Sequence, residues 1–271
     1  MMILENTGLY FLSEKKAQTI VLVHGFGEDG SIWNHQLKYL QNNFQVCVPH
    51  LRGSGTSVLG TKKLSVEAMA DDLKEMLEKE NITKCIMLGH SMGGYVTLAF
   101  AEKYSEILEG FGLIHSTAYA DSEEKKEARN KSIEFVKQNG PFELMKTVIP
   151  NLFSENFKEK NKNAVEKLVE ESKQFSAEAI IGYTEAMMNR PDRTEVLKNA
   201  TVPVLFFIGE EDKAVNPNDA IKQSSLPAVC SVKIVPHIAH MGMLEATEIL
   251  NECISEFVSA VHLLKKQSAH L

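Results

Sequence analysis

The 271-residue sequence predicts an α/β fold: a mostly parallel sheet with helices on both faces, interrupted once by an all-helical insertion. Three observations predict it. Short runs rich in Val, Ile and Leu recur at 19–24, 44–49, 84–89, 110–115, 202–208 and 231–236. Each is almost continuously apolar, as strands buried on both faces are. Helical patterns alternate with several of these runs, which is the order of crossover units in a parallel sheet. Between 118 and 196 the alternation stops and only helical patterns remain. The expected division is a core of 1–117 and 197–271 with a helical cap at 118–196.

The first run ends in His24-Gly25-Phe26-Gly27. A loop leaving such a strand can aim a main-chain amide at a reacting carbonyl, and Phe26 is the candidate donor. His24 is expected to brace this loop by hydrogen bonding. The stretch Gly25 to Gly30 also fits G-x-G-x-x-G, a dinucleotide-binding turn. Glu28 and Asp29 would set two negative charges against a pyrophosphate. The next strand ends in Pro49-His50 where a ribose-binding acid is expected. Both features count against a nucleotide.

Segment 65–80 carries Val66, Met69, Leu73 and Met76 at helical spacing opposite Asp71, Asp72, Glu75 and Glu78. The run 84–89 then leads into Gly89-His90-Ser91-Met92-Gly93, followed by a helical pattern over 92–104. Strand, G-x-S-x-G and helix in that order form a sharp turn that exposes a serine hydroxyl at the sheet's carboxyl edge. The two glycines are needed because side chains there would clash. Ser91 is the candidate nucleophile, and the amide of Met92 the second candidate donor to an oxyanion. The helix N-terminus adds a favourable field.

In the insertion, Asp121 starts an Asp-x-x-Glu capping signal for a helix over 121–138, and Pro141 suits the first turn of the next. Helical patterns at 163–174 and 176–189 end at Arg190-Pro191-Asp192. Phe142, Met145, Leu152, Phe153, Tyr183, Met187 and Met188 are expected mostly as core of the insertion, with a few roofing a pocket.

The run 202–208 is followed by Gly209-Glu210-Glu211-Asp212. Three carboxylates compete here to orient a histidine; Asp212 is preferred on spacing and because a short side chain is easier to hold rigid. After the last run come His237 and His240. His240 leads into a final helix over 245–264 and is the candidate base, while His237 is expected to cap the strand end. H-x-x-H also fits a metal pair, but further ligands at suitable spacing are missing. The expected metal and cofactor content is none. The order serine, acid, histidine differs from that of the other serine-protease folds.

The net charge of −7 argues against nucleic acid as a partner and against docking on anionic lipid. The four cysteines are scattered without a C-x-x-C pair, so a reducing compartment is expected. Residues 1–16 lack the basic start of a signal peptide, and no window reaches membrane-spanning length. A cytoplasmic protein without a membrane span is the expectation.

Taken with Trp33, Arg52-Gly53-Ser54-Gly55-Thr56-Ser57, Pro203 to Asp212 and His240-Met241-Gly242-Met243-Leu244-Glu245, these motifs resemble the α/β-hydrolase fold family over essentially the whole chain. The likeness is strongest to small cofactor-free serine esterases with helical caps. The resemblance implies an eight-stranded sheet with a cap after the sixth strand. It also implies a triad of Ser91, Asp212 and His240, with Phe26 and Met92 as oxyanion donors. Two positions depart from the pattern: His50 stands where relatives often have Asp, and Ala239 where Gly usually precedes the histidine. Arg52 is expected to tie loops through main-chain carbonyls. His90, His115, Met187 and Met241 are expected around the substrate pocket, although His115 equally suits a buried structural role.

The function expected is hydrolysis of a small carboxylic ester through an acyl-enzyme. Two alternatives use the same scaffold. A carbon–carbon bond hydrolase or perhydrolase would keep the triad, and vinylogous diketones against esters discriminate it. A ligand receptor would turn over slowly, if at all.

Overall fold

The computed structural model describes residues 8–268. Its strands are β1 (Gly8–Leu12), β2 (Thr19–Val23), β3 (Gln45–His50), β4 (Cys85–His90), β5 (Leu108–Ile114), β6 (Val204–Gly209) and β7 (Cys230–Val235). They form one sheet in the order β1-β3-β2-β4-β5-β6-β7. Only β1 runs antiparallel; it pairs with β3. The described sheet thus has seven strands rather than eight. The six apolar runs are the six strands β2 to β7. β1 carried no such signal, because all five of its residues are only partly buried.

Residues of β2, β3, β4 and β6 are buried throughout, so the strands had to be apolar on both faces. Helices α1 (Asn34–Leu40), α2 (Val66–Lys79) and α3 (Met92–Lys103) follow β2, β3 and β4. The Ser65 hydroxyl accepts from the amide of Ala68 and starts α2, which buries Met69, Leu73 and Met76. α2 packs on α3.

Between β5 and β6 the chain contains only helices: α4 (Glu123–Asn139), α5 (Pro141–Val148), α6 (Glu155–Lys160), α7 (Lys162–Glu171), α8 (Ala177–Asn189) and α9 (Thr194–Lys198), with short 3₁₀ turns. This block follows the fifth described strand, not the sixth. Ser122 rather than Asp121 caps α4, its hydroxyl accepting from the amide of Lys125. Asp121 is drawn inward instead, to ion-pair with Arg129 and Arg190.

After β6 come α10 (Pro217–Ser224), α11 (Gly242–Glu245) and α12 (Thr247–Ser268). α11 and α12 replace the single final helix expected over 245–264. α12 packs on α1, and a side chain at Gly110 of β5 would run into Phe257 and Val261 of α12. The α2–α3 and α1–α12 pairs form helical layers around the sheet. No described helix is long and apolar enough to cross a membrane. Because β2 and β4 to β7 are parallel, the loops carrying Phe26, Ser91, His115, Asp212 and His240 leave the same edge of the sheet.

Candidate active site

Ser91 sits between the last residue of β4 and the first of α3 with φ of 51° and ψ of −116°. A non-glycine residue costs roughly 1–3 kcal/mol in such a conformation, so the surroundings must enforce it. The Ser91 amide donates to the Ile114 carbonyl at 3.0 Å, and the Ser116 hydroxyl donates to the Ser91 carbonyl at 2.7 Å. A Cβ at Gly89 would stand 2.2 Å from the Gly93 carbonyl oxygen, and one at Gly93 would stand 2.4 Å from that of Val23. The glycines of the motif let the strand, the turn and β2 touch backbone to backbone. Met92 begins the helix, where main-chain amides have no partner within it.

Asp212 is buried, whereas Glu210 and Glu211 are exposed. Its Oδ1 accepts from the amides of Ala214 and Val215, both at 2.9 Å. Its Oδ2 accepts from Nδ1 of His240 at 2.8 Å and of His115 at 3.2 Å. Burial favours the neutral acid, but the two histidines outweigh it and hold the carboxyl well below the usual range. Because His240 donates through Nδ1, its Nε2 carries the lone pair.

His115 is not a pocket residue. It is buried at the end of β5, and its Nε2 accepts from the Gly242 amide at 3.2 Å. Burial pulls its pKa down to about 4 despite Asp212, so it stays neutral and donates through Nδ1. His115, Asp212 and His240 do place ligand-type atoms within 4.8 Å of one another. Asp212 and His115 already spend their lone pairs on each other, on His240 and on main-chain amides, which leaves a poor donor set for a cation.

His90 bridges two loops. Its Nε2 donates to the His240 carbonyl at 3.0 Å, and its Nδ1 lies 3.0 Å from Oε2 of Glu28. That carboxylate oxygen also accepts from the Gly25 amide at 2.7 Å. Acceptors at both nitrogens favour the protonated ring. Burial opposes that charge, but Glu28 raises the His90 pKa above the ordinary histidine value. His90 in turn keeps Glu28 below the carboxylate range against the burial penalty. Glu28, which counted against a nucleotide in the sequence, is thus the counter-ion of the residue before Ser91. The Gly25 to Gly30 stretch runs into a 3₁₀ turn, and a Cβ at Gly30 would strike Tyr10.

The neighbouring loops are fixed by buried polar groups. His24 is neutral, with its pKa lowered to about 4 by burial. Its Nδ1 donates to the Gly25 carbonyl at 2.9 Å, and its Nε2 accepts from the Leu51 amide at 3.0 Å. The Arg52 guanidinium pairs with Asp72 of α2, Nε to Oδ2 at 2.8 Å. His50 accepts from the Gly30 amide at 3.2 Å. His237 lies past the end of β7 with its side chain exposed, 3.7 Å from Glu211.

Ser91 and His240 open into one cavity of about 180 Å³. Phe26, Glu28 and His90 also border it, as do Ala214 and Val215. The helical insertion supplies Arg129, Ser132, Leu144, Leu152 and Met187. Met241 is fully buried and lies outside this lining, like His115. A larger cavity, about 320 Å³, opens by Leu108 at the start of β5, remote from these groups.

The family profile of the serine aminopeptidases, S33, matches residues 14–247. The chain belongs to this family of α/β hydrolases. Among its relatives, 3-oxoadipate enol-lactonase 1 of Acinetobacter baylyi is 24% identical over 250 residues, 91% of each chain. An esterase from Thermogutta terrifontis, solved with malate bound, superposes with a TM-score of 0.88 at 31% identity over 93% of each chain. The enol-lactonase of Burkholderia xenovorans LB400 gives 0.86 at 21% identity, over 93% of this chain and 97% of that one.

Two residues of the hydrolase had a sequence signal that went unread. Glu28, three residues past the Gly25 amide that it accepts from, pairs with His90 beside Ser91. Glu245, noted only within a motif, clamps the histidine loop. Its carboxylate accepts from the amides of Ala239 (3.2 Å), Met241 (3.1 Å) and Ser154 (2.9 Å). The His240 amide donates to the Leu152 carbonyl at 2.9 Å, so the insertion and the histidine loop are joined directly.

Proposed function

We infer that the protein is a serine hydrolase of small carboxylic esters, working through an acyl-enzyme, with residues 118–196 as the cap over its pocket. One observation carries the reading: His240 hangs from an ionised, four-times hydrogen-bonded Asp212 in the same cavity into which the strained elbow presents Ser91. Relatives named as esterases and enol-lactonases support ester and lactone substrates.

In this mechanism Nε2 of His240 takes the Ser91 proton as Oγ attacks the ester carbonyl. The resulting oxyanion is stabilised by the amides of Phe26 and Met92 at the start of α3. His240 returns the proton to the leaving alcohol, and the acyl group remains on Ser91. His240 then deprotonates a water that attacks the acyl-enzyme, and the proton passes to Ser91 Oγ as the acid leaves. Asp212 stays ionised throughout and fixes the imidazole tautomer.

The test is turnover of p-nitrophenyl acetate, butyrate and octanoate by the wild type and Ser91→Ala. The variant is expected to lose at least about 10³-fold in kcat. A cavity of about 180 Å³ favours the shorter acyl chains. Near-normal turnover by Ser91→Ala would remove the serine from the mechanism.

A further inference from the structure

The cavity wall opposite the sheet is cationic. Arg129 lies on α4, about two turns before the buried Val136, and borders the cavity together with Ser132. Lys125, at i−4 from Arg129, donates from Nζ to the carbonyl of Ala214, another lining residue, at 3.2 Å. Residues 125, 129 and 132 share one face of the helix, so α4 turns two cations and a hydroxyl toward the pocket. Arg190, at the end of α8, stacks 3.8 Å over the ring of Tyr95.

Against these three cations stands one carboxylate. Asp121 has a fully buried side chain and ion-pairs with Nε of Arg129 and, at 2.8 Å, with Arg190. The other acids at the cavity are committed elsewhere: Glu28 to His90, and Asp212 to His240 and His115. Lys125 has no carboxylate partner among the described residues. Arg129 is bound there only through Nε, so its two terminal amino groups have no protein acceptor among the described residues. A guanidinium whose Nε is held by one carboxylate still presents two parallel N–H donors at its far end, a fork that matches a second carboxylate.

We propose that Arg129 is a substrate-recognition residue, and that the substrate is a small ester or lactone whose acid part carries a second, free carboxylate. The proposal rests on the ester-hydrolase reading above. Ser91 attacks the esterified carbonyl at one side of the cavity while the fork of Arg129 holds the free carboxylate at the other, with Lys125 adding to the field. The small volume limits the acid to a short dicarboxylate skeleton. Asp121 serves as the positioning residue: it fixes the guanidinium plane and leaves a surplus of positive charge.

The experiment separates binding from turnover. Methyl hydrogen succinate and its uncharged counterpart methyl butyrate are titrated calorimetrically into Ser91→Ala and into Ser91→Ala carrying Arg129→Met or Arg129→Lys. Asp121 keeps Arg190 as its partner in these variants, so no buried carboxylate is orphaned. The anion is expected to bind Ser91→Ala at least about tenfold more tightly than methyl butyrate, to lose that advantage with Met, and to regain part of it with Lys. Added salt should weaken the anion alone. In parallel, release of acid from both esters is followed in a pH-stat with otherwise wild-type protein. The anionic-to-neutral ratio of kcat/KM is expected to fall at least about tenfold on Arg129→Met. Equal binding of the two esters, or binding of the anion indifferent to Arg129, overturns the carboxylate site whatever the turnover. Binding that depends on Arg129 with neither ester hydrolysed keeps the anion site and overturns the ester reading.

Discussion

Ser91 holds its left-handed backbone only because three chain segments meet without side chains between them. At Gly93 a Cβ would press on main-chain oxygens of both Val23 and His24, which have no rotamer to escape into. Gly93→Ala is therefore expected to destabilise the protein by about 1–3 kcal/mol or more, seen as a lower urea midpoint. An unchanged midpoint would mean that β2 and the turn can separate at little cost. The same residue-scale logic sorts the titratable groups. Asp212, Glu210 and Glu211 are equivalent in sequence, yet only Asp212 turns inward to four donors, because its Oδ1 closes the turn onto Ala214 and Val215. The sequence supports that choice by spacing but contains nothing about the amides that enforce it. His115 was open between pocket and structure; the second acceptor demand, from the Gly242 amide, makes it structural.

At the scale of elements, the segment Leu152 to Ser154 and the loop 239–242 behave as one unit, stitched by Glu245 and by the His240 amide. Glu245→Ala removes the acceptor of three main-chain amides. Hydrogen bonds to a charged group contribute about 1.5–3 kcal/mol each, so a loss of at least that size is expected. Amide exchange should accelerate at 239, 241 and 154 while β4 and β5 stay protected. Exchange confined to the helical insertion would show the clamp to be dispensable for the histidine loop. Strands β2 to β6 were legible because burial on two faces leaves an almost unbroken apolar run; β7 was found by its Val and Ile residues, but as an edge strand it is mostly exposed rather than buried on both faces. β1 was not, because an edge strand half in solvent carries no such constraint. The insertion was legible as helices but not as a pocket wall. Its orientation depends on pairs such as Asp121 with Arg190, Tyr183 with the Arg52 carbonyl, and Arg193 with Glu67 and Glu102, which link residues far apart in sequence.

For the molecule as a whole, buried titratable groups set a pH window. His24 and His115 are neutral in the folded state, with pKa values of about 4 against an ordinary 6.5. The unfolded chain binds more protons between those values, so stability falls as pH drops through that interval, by up to about 1.4 kcal/mol per unit for each histidine. Glu28 and Asp212, both depressed, add further losses only as pH falls below the ordinary carboxylate range. His90 acts in the opposite sense: its raised pKa gives stability that is complete below 6.5 and fades as pH rises through the folded value. Urea midpoints measured from pH 4.5 to 9 are expected to peak near neutrality and to decline most steeply below 6.5. A flat acid limb would mean that His24 and His115 accept protons in place.

The bond from the His240 amide to the Leu152 carbonyl makes the roof of the pocket a structural neighbour of the base. Any excursion of residues 149–154 wide enough to admit a bulky molecule breaks that bond and loosens the Glu245 clamp at once. Displacing the roof and loosening the histidine loop are therefore one structural event rather than two.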